Sequence, residues 1–192
     1  MSKLYFRYGA MNSGKSALLL QVAHNYEECG KSVYLIKPEV DNKGGDRVIS
    51  RVGLSRAVDL LFDNEYNLYE HFFNTSVDCI LVDETQFITT KQANQLFKVA
   101  VELNMPVICY GLRTDFQGKG FEGSTRLLEI AHSLEELKTI CKCGKKALLN
   151  ARKINGFYTQ DGDQISIDNK DCVQYDPMCG VCWYKNDLTF TF

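Results

Sequence analysis

The segment Gly9-Ala10-Met11-Asn12-Ser13-Gly14-Lys15-Ser16 constrains this chain more than any other. It fits G-x-x-x-x-G-K-[ST]. It follows an apolar stretch, Leu4-Tyr5-Phe6-Arg7-Tyr8, that reads as a strand, and it precedes residues 16–28, which read as a helix. The helix reading rests on Leu18, Leu19, Val22 and Ala23 at helical spacing, ended near Gly30. The pattern is short enough for chance matches, but strand, loop, helix is the context in which it works. Gly9 and Gly14 permit backbone angles and close approach that side chains would block. Successive N–H groups of the loop then form an anion cradle, and the positive end of the helix adds to it. Lys15 supplies a mobile charge for β- and γ-phosphates, and the Ser16 hydroxyl is placed for Mg²⁺.

The residues that follow continue the alternation. Val33-Tyr34-Leu35-Ile36 predicts a strand stopped by Pro38. Residues 77–82 predict a buried strand. Thr90 predicts the cap of a helix running to Leu103, with Ala93, Leu96, Phe97 and Ala100 on one face. Pro106-Val107-Ile108-Cys109-Tyr110 predicts another strand. Such alternation implies crossover units. The expected fold is α/β: a P-loop NTPase-type, mostly parallel sheet with helices on both faces, over residues 1–137. Beyond Leu137 the pattern changes to short β-like pieces at 138–140, 147–152 and 164–167, separated by turns such as Asp161-Gly162-Asp163. Residues 138–192 therefore predict a second, small β domain, too short to fold on core burial alone.

Cys79-Ile80-Leu81-Val82 ends in Asp83-Glu84. In phosphate-loop enzymes a carboxylate at the end of such a strand supports Mg²⁺, which is the role expected of Asp83. Ligands in open α/β sheets bind outside the carboxyl ends of strands, so Asp83 should lie beside the phosphates. Strand alternation turns Glu84 the other way, where it can act as general base toward water or an alcohol. The bland alternative is that the pair merely opens a surface turn.

Of eight cysteines, five fall after residue 140. The start of the chain carries no leader-like run, and no apolar stretch approaches the roughly 18 residues of a membrane helix. A reducing, cytoplasmic compartment is expected, and clustered thiols there point to metal or redox chemistry. Cys141-Lys142-Cys143 and Cys179-Gly180-Val181-Cys182 form two pairs with 35 residues between them. Four thiolates satisfy a tetrahedral structural Zn²⁺, and Gly144 and Gly180 let the backbone turn around it. A zinc-ribbon-like domain stapled in this way is the expected tail. A disulfide or a redox C-x-x-C is the alternative, though a redox pair belongs at a helix start near a βαβ unit. Cys29, Cys79, Cys109 and Cys172 are expected to be structural or free thiols.

The stretch Tyr110-Gly111-Leu112-Arg113-Thr114-Asp115-Phe116-Gln117-Gly118-Lys119-Gly120-Phe121 follows a strand, so it lies on the ligand side. Its two phenylalanines suit either a flat slot for a base or an anchored loop. His24, His71 and His132 show no partner pattern and read as surface residues. Trp183 reads as packing on the cysteine knuckle.

Taken together, these residues resemble the cytosolic-type thymidine kinases, a family with a phosphate-loop domain and a zinc domain, and are most similar to its bacterial members. The resemblance spans nearly the whole chain. It is carried by the loop 9–16 with its methionine, by Asp83-Glu84-Thr85-Gln86-Phe87, by Tyr110-Gly111-Leu112-Arg113-Thr114-Asp115-Phe116, and by the C-x-C and C-x-x-C pairs. It implies transfer of the γ-phosphate of ATP to the 5′-hydroxyl of thymidine, with deoxyuridine as a further substrate. It implies Glu84 as the base, the loop with Asp83 and Gln86 at ATP, and Ser16 and Asp83 at Mg²⁺. It places Met11, Phe87, Leu112, Phe116, Phe121 and Tyr175 around the thymine. It makes Cys141, Cys143, Cys179 and Cys182 the zinc ligands, with a lasso loop between the pairs covering the nucleoside. A homotetramer inhibited by thymidine triphosphate is implied as well. Two stretches differ from the family pattern: Ile167-Asp168-Asn169-Lys170-Asp171-Cys172 lacks the usual I-G-G, and Asp41-Asn42-Lys43 has lysine where D-x-R is usual.

Two other classes share some of these features. A phosphate-loop hydrolase would use the same loop and Asp83, but it leaves the aromatic loop and the cysteine-tethered cover unexplained. A nucleic-acid-binding zinc module would need a basic surface. The chain has 22 Lys and Arg against 24 Asp and Glu, and the tail is nearly balanced, which argues against nucleic-acid and anionic-membrane partners alike.

Overall fold

The computed structural model describes residues 1–40, 45–164 and 173–185. The first part of the chain forms β1 (Leu4–Tyr8), α1 (Lys15–Glu28), β2 (Val33–Pro38), β3 (Arg47–Ile49), β4 (Ser55–Ala57), β5 (Leu60–Phe62), α2 (Leu68–Phe73) and β6 (Cys79–Val82). A single 3-10 turn, Thr85–Phe87, precedes α3 (Thr90–Glu102), β7 (Val107–Gly111), α4 (Glu122–Ile130) and β8 (Ser133–Glu136). Six of these strands make one sheet in the order β5-β2-β6-β7-β1-β8. Every pairing in it is parallel, so the strands' carboxyl ends share one edge.

The strand sequences explain why helices cover both faces. In β6, Ile80 and Val82 pack with Leu68, Phe72, Leu96, Val99 and Leu127 of α2, α3 and α4. Cys79 and Leu81 face the opposite way, onto Leu19, Leu20 and Ala23 of α1. Strand side chains alternate, so a strand buried on both faces must be apolar throughout, and β6 is.

After β8 the chain forms β9 (Thr139–Ile140), β10 (Lys146–Ala147), β11 (Leu149–Ile154), β12 (Phe157–Thr159), β13 (Val173–Met178) and α5 (Gly180–Lys185). β9 and β10 pair antiparallel, and β11 lies antiparallel between β12 and β13. The single strand expected at 147–152 is two, broken at Leu148, whose N–H donates to the Met178 carbonyl at 2.9 Å. The expected strand 164–167 lies outside the described residues except for Gln164, as do 41–43, 167–172 and with them Cys172.

Several expectations shift. Thr89, not Thr90, caps α3, through a reciprocal capping box with Gln92 that satisfies two orphan N–H groups. Pro38 is the last residue of β2 rather than lying beyond it, and Glu39 carries on by donating to the Phe62 carbonyl at 2.9 Å. His71 is not a surface residue: Nδ1 lies 2.9 Å from the Tyr66 hydroxyl and Nε2 3.2 Å from that of Tyr34, and burial holds its pKa below the ordinary value. His132 accepts the Leu4 N–H at 3.0 Å and stacks on Phe97. The β3–β4 hairpin, β5, α2, α4 and β8 have no counterpart in the sequence reading, because each is short or lacks a sustained period.

Candidate active site

The loop between β1 and α1 opens at the shared carboxyl edge. Gly14 enters α1 with φ +81°, a left-handed conformation that favours glycine. A Cβ on Gly9 would meet the Leu137 carbonyl oxygen at 2.4 Å and the Ser13 hydroxyl at 2.6 Å, so only glycine fits there. No side chain caps α1 and no acidic residue stands in its first turn. By contrast α2 is capped by Asn67 and α3 by Thr89. The N–H groups at the start of α1 are thus left for an anion.

The Lys15 ammonium is folded onto its own loop, donating to the carbonyls of Gly9 at 3.2 Å and Ala10 at 3.0 Å. Burial lowers its pKa, the Glu84 and Asp83 carboxylates oppose that shift, and Arg51 of the β3–β4 turn adds to it. One lysine therefore senses both acids of the pair. Asp83 is buried, and its Oδ1 accepts the Glu84 N–H at 3.0 Å. Ser16 is half-buried in the first turn of α1. A hydroxyl and a carboxylate are the hard oxygen donors that Mg²⁺ requires.

Glu84 is not turned by strand alternation. It stands in the left-handed region, φ 50° and ψ 41°, at the head of the 3-10 turn. Non-glycine residues rarely sit there, and such strain gathers at functional sites. Its carboxylate accepts from Gln86 Nε2 at 2.5 Å, while Gln86 Oε1 accepts the Leu112 N–H at 3.1 Å. Gln86, grouped by sequence with the ATP residues, is buried with its amide spanning Glu84 and the aromatic loop.

In that loop Phe116 and Phe121 are buried, and Phe121 meets Phe87 edge-on with ring centroids 6.0 Å apart. Met11, Phe87, Leu112 and Tyr175 are half-buried. The loop is tied to the tail at several points. Trp183 Nε1 donates to the Phe116 carbonyl at 3.1 Å, Gln117 Nε2 to that of Gln160 at 2.7 Å, and Gln164 Nε2 to Asp115 at 2.9 Å. Trp183 also packs on the cysteine cluster, as expected of it, so it joins the two.

The ligand sulfurs of Cys141, Cys143, Cys179 and Cys182 all lie within 4.8 Å of one another, and those of Cys143 and Cys179 are 3.6 Å apart. Tetrahedral zinc with Zn–S bonds of about 2.3 Å sets sulfurs about 3.8 Å apart, so this cluster can hold such an ion. Burial raises the Cys141 thiol, but N–H groups of Cys143 and Cys179 and the other thiols outweigh it and bring it down to about 6. Thiolates are the form that binds metal. Cys79 and Cys109 are buried in the sheet, where burial pushes Cys79 up to about 11, while Cys29 is exposed.

The sequence reading missed Lys37, fully buried at the end of β2, and Arg51 near Lys15. It also missed Asn150 and Arg152, buried polar residues of β11. A lysine within an apolar run, and polar residues two apart in a strand, were the available signals. No helix among the described residues is long and apolar enough to cross a membrane.

A family model described as thymidine kinase matches residues 2–183. The chain is 45% identical over 188 residues to the thymidine kinase of Chromobacterium violaceum, covering 97% of this chain and 100% of that one. It is 43% identical over 195 residues to that of Enterobacteria phage T4, covering 98% of each. With that of Mannheimia succiniciproducens it shares 49% over 176 residues, 87% of this chain and 88% of the other. From before the phosphate loop to beyond the last cysteine pair, the chain belongs to the thymidine kinase family.

Proposed function

We propose that Glu84 takes the proton of the thymidine 5′-hydroxyl while loop 9–16 holds ATP for in-line transfer. The hydroxyl oxygen bonds to the γ-phosphorus, the bond from that phosphorus to the β,γ-bridging oxygen breaks, and thymidine monophosphate and ADP leave. The released proton passes from Glu84 to solvent. The observation that carries this reading is the Glu84–Gln86–Leu112 link, which connects the acid beside Lys15 to the loop expected to hold the nucleoside. Such transfer depends on positioning and charge neutralisation more than on covalent chemistry.

In this reading the residues of loop 9–16 bind the phosphates, and Ser16 and Asp83 hold Mg²⁺, which neutralises charge on the phosphates. Gln86 orients Glu84. Met11, Phe87, Leu112, Phe116, Phe121 and Tyr175 form the thymine pocket, with deoxyuridine accepted as well. Residues 1–137 are the kinase domain and 138–192 the metal domain, whose ion is structural zinc. The remaining family traits, a cytoplasmic homotetramer inhibited by thymidine triphosphate, belong to the same proposal.

The test is a nucleoside panel with labelled ATP and Mg²⁺, run with wild type and Glu84→Gln. We expect label on thymidine, and a loss in the variant of about 10²–10⁴-fold in kcat with ATP still bound. Wild-type turnover in the variant would remove Glu84 from this role. Absence of transfer to any pyrimidine nucleoside in metal-loaded protein would sink the activity itself.

A further inference from the structure

Strand β11 touches three parts of the molecule at once. Its Ala151 belongs to the buried cluster that contains Cys141 and Cys179. Its neighbours Asn150 and Arg152, two residues apart and so on one strand face, reach the other way. Asn150 Oδ1 accepts the N–H of Met11 in the phosphate loop at 2.7 Å. The Arg152 guanidinium lies over the Phe116 ring, 4.9 Å from its centroid, and Nη1 donates to the Asp163 carbonyl at 3.1 Å. Tyr175 stands directly opposite Arg152 on β13. Around the foot of this arrangement a narrow cleft is lined by Gly9 and Ala10 of the phosphate loop, Arg113 and Thr114 of the aromatic loop, and Asn150.

Both polar residues are nearly inaccessible, Asn150 at 4% and Arg152 at 5% exposure. Arg152 Nε is buried with no hydrogen-bond partner among the described residues. Burying a guanidinium is costly unless its environment compensates, and an apolar side chain would fill the same space more cheaply. What the arginine adds here is directional: a cation–π contact to one loop and a hydrogen bond to the segment that leads out of β12. Asn150 adds a single acceptor aimed at a backbone N–H of the other loop.

We propose that Asn150 and Arg152 are positioning residues. Through them one rigid strand of the metal-bearing region sets the phosphate-donor loop and the nucleoside-acceptor loop relative to each other. In-line transfer is sensitive to that separation, since misplacement by about 1 Å can cost about 10²-fold. The metal, by holding the strand's other face, would then act on the reaction at a distance from it. This inference rests on the reading of Phe116 as part of the thymine pocket.

The test uses full-length, metal-loaded protein with Arg152→Met, Arg152→Lys, Asn150→Leu and Phe116→Leu. For each, kcat, KM for thymidine, KM for ATP, metal per chain and melting temperature are measured. We expect Arg152→Met to raise KM for thymidine at least about tenfold with KM for ATP within about twofold, and Arg152→Lys to recover part of the loss. We expect Asn150→Leu to lower kcat at least about tenfold at unchanged metal content. Wild-type constants in folded Arg152→Met and Asn150→Leu would overturn the proposal. So would equal rises in both KM values that track a loss of metal, because the pair would then only hold the region together. If Phe116→Leu leaves KM for thymidine unchanged, the pocket reading fails. If Phe116→Leu raises it but Arg152→Met does not, the pocket stands and the positioning role falls. Should Arg152→Met not fold, a folded Arg152→Lys with wild-type KM for thymidine, together with wild-type kcat in folded Asn150→Leu, overturns it equally.

Discussion

Among the described residues, the parallel sheet buries sixteen in the cluster on one face and ten in the cluster on the other, whereas the tail's own cluster has five, two of them cysteines. The first region follows the usual rule that apolar area removed from water offsets the entropy of ordering the chain. The second cannot. Ile140 and Phe157 remain 72% and 78% exposed on its short strands, so a metal held by its four clustered cysteines would supply what burial does not. Yet the tail supplies the hydrogen bonds that hold the aromatic loop and the phosphate loop. The less self-sufficient region therefore holds both loops, and, if it positions them as proposed, its stability and the enzyme's activity should be linked through a metal at the cysteine cluster.

Withholding metal from the four-cysteine cluster is the sharpest way to test the contrast. A chelator, or Cys143→Ser, should unfold the tail and reduce thymidine phosphorylation by more than about 100-fold. The circular dichroism of α1, α3 and α4 should persist. Activity and spectra followed in one chelator titration report both, and full activity in metal-free protein would erase the distinction.

Next in size is a cavity in the sheet region. Leu96 is fully buried between α3 and the sheet. Leu96→Ala should cost about 2–5 kcal/mol in urea denaturation. Metal content should stay at wild-type level, since the tail's cluster does not include this residue.

A smaller effect is expected at the α3 cap. Thr89→Ala removes one half of the box with Gln92 and should cost about 1 kcal/mol, again with metal retained. A matched change at the uncapped α1 end, where no such bond exists, should instead register in ATP affinity.

The smallest effect is the sheet region's response to pH. Burial makes the folded His71 harder to protonate than the unfolded one. The unfolded chain then binds the extra proton, so stability rises with pH across the interval between the two values. It is fully present above the unfolded value of about 6.5 and is lost as pH falls from there through the lower folded value. Denaturation midpoints of wild type and His71→Gln, measured from pH 7 to 5, should converge as pH falls. Parallel curves would show that His71 is not responsible.

The local chemistry was largely legible in the order of residues. A glycine-framed loop after an apolar strand, acids closing another apolar strand, and paired cysteines all announce themselves over a few positions. Helices α1 and α3 were legible for the same reason, being long enough to show a period. The hairpin β3–β4 and the helix α2 were not, because three to six residues hold too little periodicity to distinguish strand from turn.

The sequence by itself determined the fold class, the phosphate loop, the acid pair, the paired cysteines that can hold a metal and the family, since each depends on residues close in the chain or on residue types that have few other uses. Only the tertiary structure decided how Glu84 is aimed, because its left-handed turn and its link through Gln86 to Leu112 join segments 26 residues apart. Likewise only the fold brings Asn150 to Met11, 139 positions away, and Arg152 to Phe116. Those contacts depend on which strand face meets which loop, and no local pattern encodes that meeting.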